Sequence, residues 1–204
     1  MQIRGLRAGI SFAEKKIIIK EEEDQTRIYG AAQYYLELNT ARMLCDLNMT
    51  YDVSVSEVRT MIAKIEDGLQ ITFAEKQKEA IEAVAENGVV ILTGGPGTGK
   101  TTTINGMIRY FESETLDIRL VAPTGRAAKR MTEATGYEAT TIHRLLELNG
   151  DSSSGDSMKF ERNAANPIET DVIIVDEMSM VDIFLMNSLL SAAVPGTRFG
   201  FVGD

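Results

Sequence analysis

Gly94-Gly95-Pro96-Gly97-Thr98-Gly99-Lys100-Thr101 is a complete phosphate-binding loop of the form G-x-x-x-x-G-K-[ST]. Each residue type in it has a physical task. The glycines let the backbone turn back on itself and aim N–H groups at phosphate oxygens. The Lys100 ammonium can reach the β- and γ-phosphates, and the Thr101 hydroxyl can ligate Mg²⁺. A helix opening at Lys100 would present its positive end to the same anion, with Thr102 in its first turn. The flanks agree. Val89-Val90-Ile91-Leu92 reads as a buried parallel strand, and Thr101 to Phe111 carries Ile104, Met107, Ile108 and Phe111 at helical spacing. A glycine-rich stretch alone is often only a flexible loop; a strand before and a helix after make this one a nucleoside triphosphate site.

Further along, Val172-Ile173-Ile174-Val175-Asp176-Glu177 is an apolar strand ending in two carboxylates. At the carboxyl end of a strand beside a phosphate loop, Asp176 can hold Mg²⁺ directly or through water. Glu177 can orient and deprotonate an attacking water. Adjacent acids also occur as solvated strand ends, but this strand is too apolar to favour that reading. A base poised for water points to hydrolysis rather than transfer to a substrate hydroxyl.

The composition sets bounds. A chain of 204 residues, 44% hydrophobic, can bury a core of one main domain with a small appendage. A net charge of −9 argues against a broadly basic surface that coats nucleic acid, though not against a local groove. The single Cys45 excludes an internal disulfide and suits a reducing compartment; Leu44 and Leu47 beside it predict a buried helical thiol without a functional role. The start lacks a signal-peptide core, and no run approaches the roughly 18 apolar residues of a membrane span. The expectation is a cytoplasmic, monomeric chain with no membrane partner.

The pattern along the chain predicts an α/β fold: a P-loop NTPase parallel sheet flanked by helices, preceded by a small helical N-terminal segment. Lys16–Lys20 and Thr26–Gly30 pair as a hairpin across the acidic run Glu21–Asp24. Leu36–Leu47 reads as a helix. The capping box Ser54-Val55-Ser56-Glu57 opens another, with Val55, Val58, Ile62 and Ile65 on one face and Gly68 as its stop. Thr72-Phe73-Ala74-Glu75 opens a third, ending at Asn87-Gly88. The border between a helical segment 1–68 and an α/β nucleotide domain 69–204 is placed near Gly68. Within the latter, strands at Ile118–Ala122, Val172–Val175 and Arg198–Val202 alternate with helices at Gly125–Thr135, Thr141–Leu148 and Val181–Ala193. Asn149–Asn166, rich in Ser, Gly, Asp and Asn, is a long loop.

An ordered set of segments carries a family resemblance. It runs from Phe73, Gln77 and Ala80 through Thr93–Thr103, Ala122-Pro123-Thr124-Gly125-Arg126-Ala127-Ala128-Lys129-Arg130-Met131 and Thr140-Thr141-Ile142-His143-Arg144-Leu145-Leu146. It continues through Asn166–Ile168 and Asp171–Asp182 to Val202-Gly203-Asp204. Together they resemble the first motor domain of a RecD-like, superfamily-one DNA helicase, strongly over about residues 70–204, which implies that the sheet is RecA-like. The resemblance implies a 5′→3′ translocase that hydrolyses ATP, with Mg²⁺, while stepping along single-stranded DNA. It implies that Gln77 reads adenine, which an amide's acceptor and donors suit, although a surface glutamine on a helix is the plain alternative. Thr124, Gly125, Arg126 and Lys129 match the segment that touches the DNA backbone; a helix cap with solvated basic residues would look the same. His143, the one histidine, falls near the DNA path in the family pattern, while a lone histidine at a helix start is commonly structural. Met178 and Met180 read as packing residues. Asp204 matches the acid that senses the γ-phosphate.

The family pattern continues past Asp204 into a second motor domain bearing an arginine finger. On this resemblance the 204 residues are expected to be a piece that folds, binds ATP·Mg²⁺ weakly, hydrolyses it poorly and does not unwind DNA alone. A AAA-type ring motor and a non-catalytic nucleotide-binding interaction module are the alternatives.

Overall fold

The computed structural model describes residues 17–22, 25–148 and 160–204. The chain opens with an antiparallel hairpin of β1 (Ile17–Glu22) and β2 (Gln25–Gly30), then three helices: α1 (Ala31–Leu47), α2 (Val55–Leu69) and α3 (Glu75–Glu86). There follow β3 (Val89–Thr93), α4 (Lys100–Ser113), β4 (Ile118–Ala122), α5 (Gly125–Thr135), β5 (Ala139–Thr141) and the short α6 (Ile142–Leu145). After them come β6 (Val172–Val175), a 3₁₀ turn at Met178–Met180, α7 (Ile183–Ser191) and β7 (Arg198–Gly203). Strands β3 to β7 form one parallel sheet in the order β3-β7-β6-β4-β5.

Side-chain alternation along the strands builds two cores. Leu120, Val172, Ile174 and Val202 face a layer made by Ile62 of α2, Ile81 of α3, and Met107 and Ile108 of α4. Val121, Ile173, Val175, Phe199 and Phe201 face the other layer, with Leu47 of α1 and Leu185, Met186 and Leu189 of α7. Covered on both sides, β6 has all four residues buried, which is why it reads as an unbroken apolar run. The predicted α/β sheet flanked by helices is the fold observed.

Several local expectations are corrected. The strands of the hairpin extend into the acidic run to pair Glu22 with Gln25; Lys16, residues 23–24 and residues 149–159 of the long loop lie outside the described residues. No side-chain cap forms at Ser54, whose hydroxyl lies 2.8 Å from that of Ser56. Val55 is exposed, and α2 runs past Gly68 to stop at Gln70 in the left-handed region. The third helix starts at Glu75 rather than at Thr72, because Phe73 is buried and its N–H donates to Glu66 at 2.7 Å. Cys45 is exposed: α1 turns Met43, Leu44 and Leu47 to the core and Cys45 away from it. Met178 packs against the α7 layer, but Met180 is exposed. The expected helix at 141–148 divides into β5 and α6. Finally, β3 is the edge strand of the sheet, and Ile91 is 71% exposed rather than buried.

Among the described residues no helix is long and apolar enough to cross a membrane.

Candidate nucleotide-binding site

In a parallel α/β sheet the carboxyl ends of the strands share one edge, and ligands bind in the crevice outside it. That topology gathers the site. The phosphate loop leaves the end of β3, Asp176 and Glu177 leave β6, and Asp204 leaves the adjacent β7. Gly95 to Thr101, Asp176, Glu177 and Asp204 line one cleft of about 440 Å³, together with Arg130 and Gly203.

The loop is shaped by conformations that only glycine adopts freely. Gly97 and Gly99 have φ of 77° and 83°. At Gly99 a Cβ would lie 2.5 Å from Gln77 Nε2, and at Gly94 2.6 Å from Thr98 Oγ1, so the loop closes over space that a side chain would fill. Thr98 Oγ1 donates to Gly95 O at 2.8 Å, and Thr103 donates to Gly99 O through both N–H (2.9 Å) and hydroxyl (3.0 Å). Helix α4 therefore starts at Lys100 with its free N–H groups directed at the cleft. The Lys100 ammonium donates to Gly94 O and Asp204 Oδ1, and lies 3.4 Å from Gly95 O. Thr101 is exposed at the cleft; Thr102, half-buried in the first turn of α4, does not line it.

Gln77 bridges α3 and the loop. Its Oε1 accepts from Ala74 N at 2.9 Å, capping the helix, and its Nε2 donates to Gly99 O at 3.2 Å. Its amide is thus fixed beside the phosphate loop rather than solvated on a helix surface.

The two carboxylates at the end of β6 diverge. Asp176 N donates to Val121 O at 2.9 Å, extending the ladder to β4. Glu177 takes a left-handed φ of 56°, and its N–H donates to Asp176 Oδ1 at 2.9 Å. A non-glycine residue rarely sits there, and such outliers concentrate at working sites. The bond leaves Asp176 Oδ2 for another partner and turns Glu177 toward α5, where Arg130 Nη1 stands 3.9 Å from Oε1.

The charges say what the cleft can hold. Three carboxylates (Asp176, Glu177, Asp204) face two cations (Lys100, Arg130) around a glycine cradle built for phosphate. Among the described residues no cluster of three or more His, Cys, Asp or Glu could hold a metal unaided. A magnesium ion in this cleft would therefore share its ligands between Thr101, Asp176 and the phosphates, the usual arrangement for that ion. The donor set fits a metal–triphosphate and would fit neither alone as well.

The candidate nucleic-acid residues occupy the same edge, one and two strands away. Ala122 of β4 pairs with Thr141 of β5, so the segments that follow these strands, Thr124–Lys129 and Ile142–His143, sit side by side. Thr124 is the N-cap of α5, its hydroxyl accepting from Ala127 N at 3.2 Å. Gly125 and Arg126 are exposed, and Lys129 is exposed 3.8 Å from Glu133. His143 is half-buried with its ring 5.9 Å from that of Phe160. Arg130 was overlooked. Its spacing of four from Arg126 marks a shared helix face, but nothing in the sequence says that this face meets Glu177.

The family described as "AAA domain" matches residues 77–204. Three curated relatives are similar. The ATP-dependent RecD2 DNA helicase of Deinococcus radiodurans is 45% identical over 64% of this chain and 17% of its own length. The RecBCD enzyme subunit RecD of Mycolicibacterium smegmatis is 40% identical over 64% of this chain and 27% of its own. The RecD subunit of Haemophilus influenzae is 35% identical over 86% and 29%. This chain thus spans less than a third of the length of these relatives. With the family matched over the phosphate loop and the strands that follow it, and RecD proteins among its relatives, the chain belongs to the AAA domain family and is RecD-like within it.

Proposed function

We propose that residues 69–204 are the first motor domain of a RecD-like DNA helicase, following an N-terminal segment 1–68. It binds ATP with Mg²⁺ and couples hydrolysis to 5′→3′ movement along single-stranded DNA in the cytoplasm. A second motor domain of the parent protein supplies the arginine that completes the site. The observation that carries this reading is the convergence of Lys100, Asp176, Glu177 and Asp204 in one cleft, on the edge that also presents the α5 N-terminus.

Bound ATP·Mg²⁺ supplies the electrophilic γ-phosphorus and neutralises charge on the phosphates. The residues of this chain do the rest. N–H groups of the 94–101 loop and of the start of α4 hold phosphate oxygens. Lys100 exchanges its carbonyl and Asp204 partners for the β- and γ-phosphates. This exchange frees Asp204 to respond to the terminal phosphate. Thr101 and Asp176 hold the metal, and Gln77 meets the adenine edge. Glu177 accepts the proton of the attacking water at its carboxylate. Arg126 and the N–H groups around Thr124 and Gly125 hold a DNA phosphate, with Lys129 and His143 beside it.

The test is Glu177→Gln. Turnover of ATP should drop by at least about 100-fold while binding of a fluorescent ATP analogue persists, and oligothymidylate should raise hydrolysis by the unmodified chain. Undiminished turnover by the variant would remove the base assignment. Oligothymidylate without effect on either hydrolysis or mobility would remove the DNA assignment. The RecD relatives weigh against a ring motor, whose signature would be assembly on adding ATP.

A further inference from the structure

Arg130 projects from α5 into the rim of the phosphate cleft, where among the described residues it is the one lining cation besides Lys100. It also borders a smaller cavity of about 90 Å³ with Thr101, Asp176 and Glu177. The element that carries it is well fixed. Thr124 caps its first turn, Ala127, Ala128 and Met131 are buried beneath it, and Gly136 ends it in the left-handed region. Glu177 is the less secured partner. Its main chain is held by the Asp176 bond, but among the described residues its carboxylate has Arg130 as its one ionic partner, at 3.9 Å. A base must point at its water before it is useful, and a flexible glutamate at the lip of an open cleft has many rotamers to lose.

We propose that Arg130 is a positioning residue: its guanidinium sets the direction of the Glu177 carboxylate at the mouth of the nucleotide cleft. The inference rests on Glu177 being the base. Arg130 acts on the orientation of that group and not on the affinity for nucleotide, which Lys100 and the loop supply. The pair is open to solvent, with Arg130 72% exposed. Such pairs are weak, so its removal should slow the chemical step by about three- to five-fold rather than abolish it.

Steady-state ATP hydrolysis by the full chain, without DNA, tests this. Arg130→Gln should lower kcat by about three- to five-fold and leave KM within about two-fold. Arg130→Lys, which keeps the charge but not the planar fork, should recover part of the loss. In a Glu177→Gln background the Arg130→Gln change should add nothing, because the group it orients is gone. A rise in KM at constant kcat would make Arg130 a phosphate cation instead, and equal losses in both backgrounds would make it structural; either overturns the inference. If Glu177→Gln abolishes turnover while Arg130→Gln is harmless, the positioning role falls and the base stands.

Discussion

At Gly99 three demands meet in one residue: a left-handed φ of 83°, a carbonyl that accepts from Gln77 and Thr103, and no room for a Cβ beside Gln77. Gly99→Ala would add a conformational cost of about 1–3 kcal/mol and push Gln77 off the loop. We expect affinity for a fluorescent ATP analogue to fall at least about ten-fold, with far-ultraviolet circular dichroism unchanged. An affinity equal to that of the unmodified chain would show that the loop tolerates a different turn. At this scale the sequence was informative because the chemistry is local. Gly94 to Thr101 and the Asp176-Glu177 pair declare themselves by residue type and spacing. Gln77 needed the family pattern, since a glutamine on a helix says nothing of the carbonyl it will meet 22 residues later. Arg130 needed the structure.

Among the elements, the join between α2 and α3 depends on Glu66. Its Oε1 accepts from Phe73 N at 2.7 Å and lies 3.1 Å from Lys78 Nζ. The Phe73 N–H, more than Lys78, holds this carboxyl below the usual carboxylate range, against a smaller opposing effect of burial. The folded-state pKa is therefore depressed. The stabilisation is complete above the ordinary glutamate value and is lost as pH falls through the lowered one. Glu66→Gln, whose amide oxygen can still accept from Phe73 N, should cost about 1 kcal/mol at neutral pH through the lost charge, and chemical denaturation should show the gap from the unmodified chain narrowing in acid. A gap that is constant with pH would assign the effect to packing. Helix ends were where the sequence reading slipped, and the reason is the same contact: Phe73 goes into the core, its N–H is taken by Glu66, and the capping-box pattern at Thr72 is overridden. At Ser54 the hydroxyl turned to Ser56, and at Cys45 the helix face was one residue off. Central strands and the presence of the long helices, whose periodicity spans many residues, were read correctly, although α1 begins at Ala31 rather than at the expected Leu36.

For the molecule as a whole, a charge of −9 argues against a broadly basic surface, and the DNA contact we propose rests on the exposed Arg126 and Lys129 at the strand-end edge. Two or three phosphate contacts imply that raising salt from about 50 to about 200 mM weakens binding of single-stranded DNA by about ten-fold, not by thousands. A fluorescence-anisotropy titration at several salt concentrations measures the slope; a much steeper one would mean a longer basic track than these residues provide. The order of the strands was foreseeable only as a class, since a three-residue β5 gives no periodicity and the position of β3 at the edge leaves no mark on its apolar sequence.

That edge position has a mechanical consequence. Among the described residues the phosphate loop hangs from a strand laddered to β7 alone, while the carboxylates facing it hang from β6 (Asp176, Glu177) and β7 (Asp204), both laddered on two sides. The two jaws of the cleft therefore differ in compliance. The acidic jaw is the fixed anvil, and the loop-bearing jaw is the one that gives when a polyanion seats. Among the described residues its free flank, with Ile91 bare, can take a further strand, and a strand laddered there would stiffen this jaw.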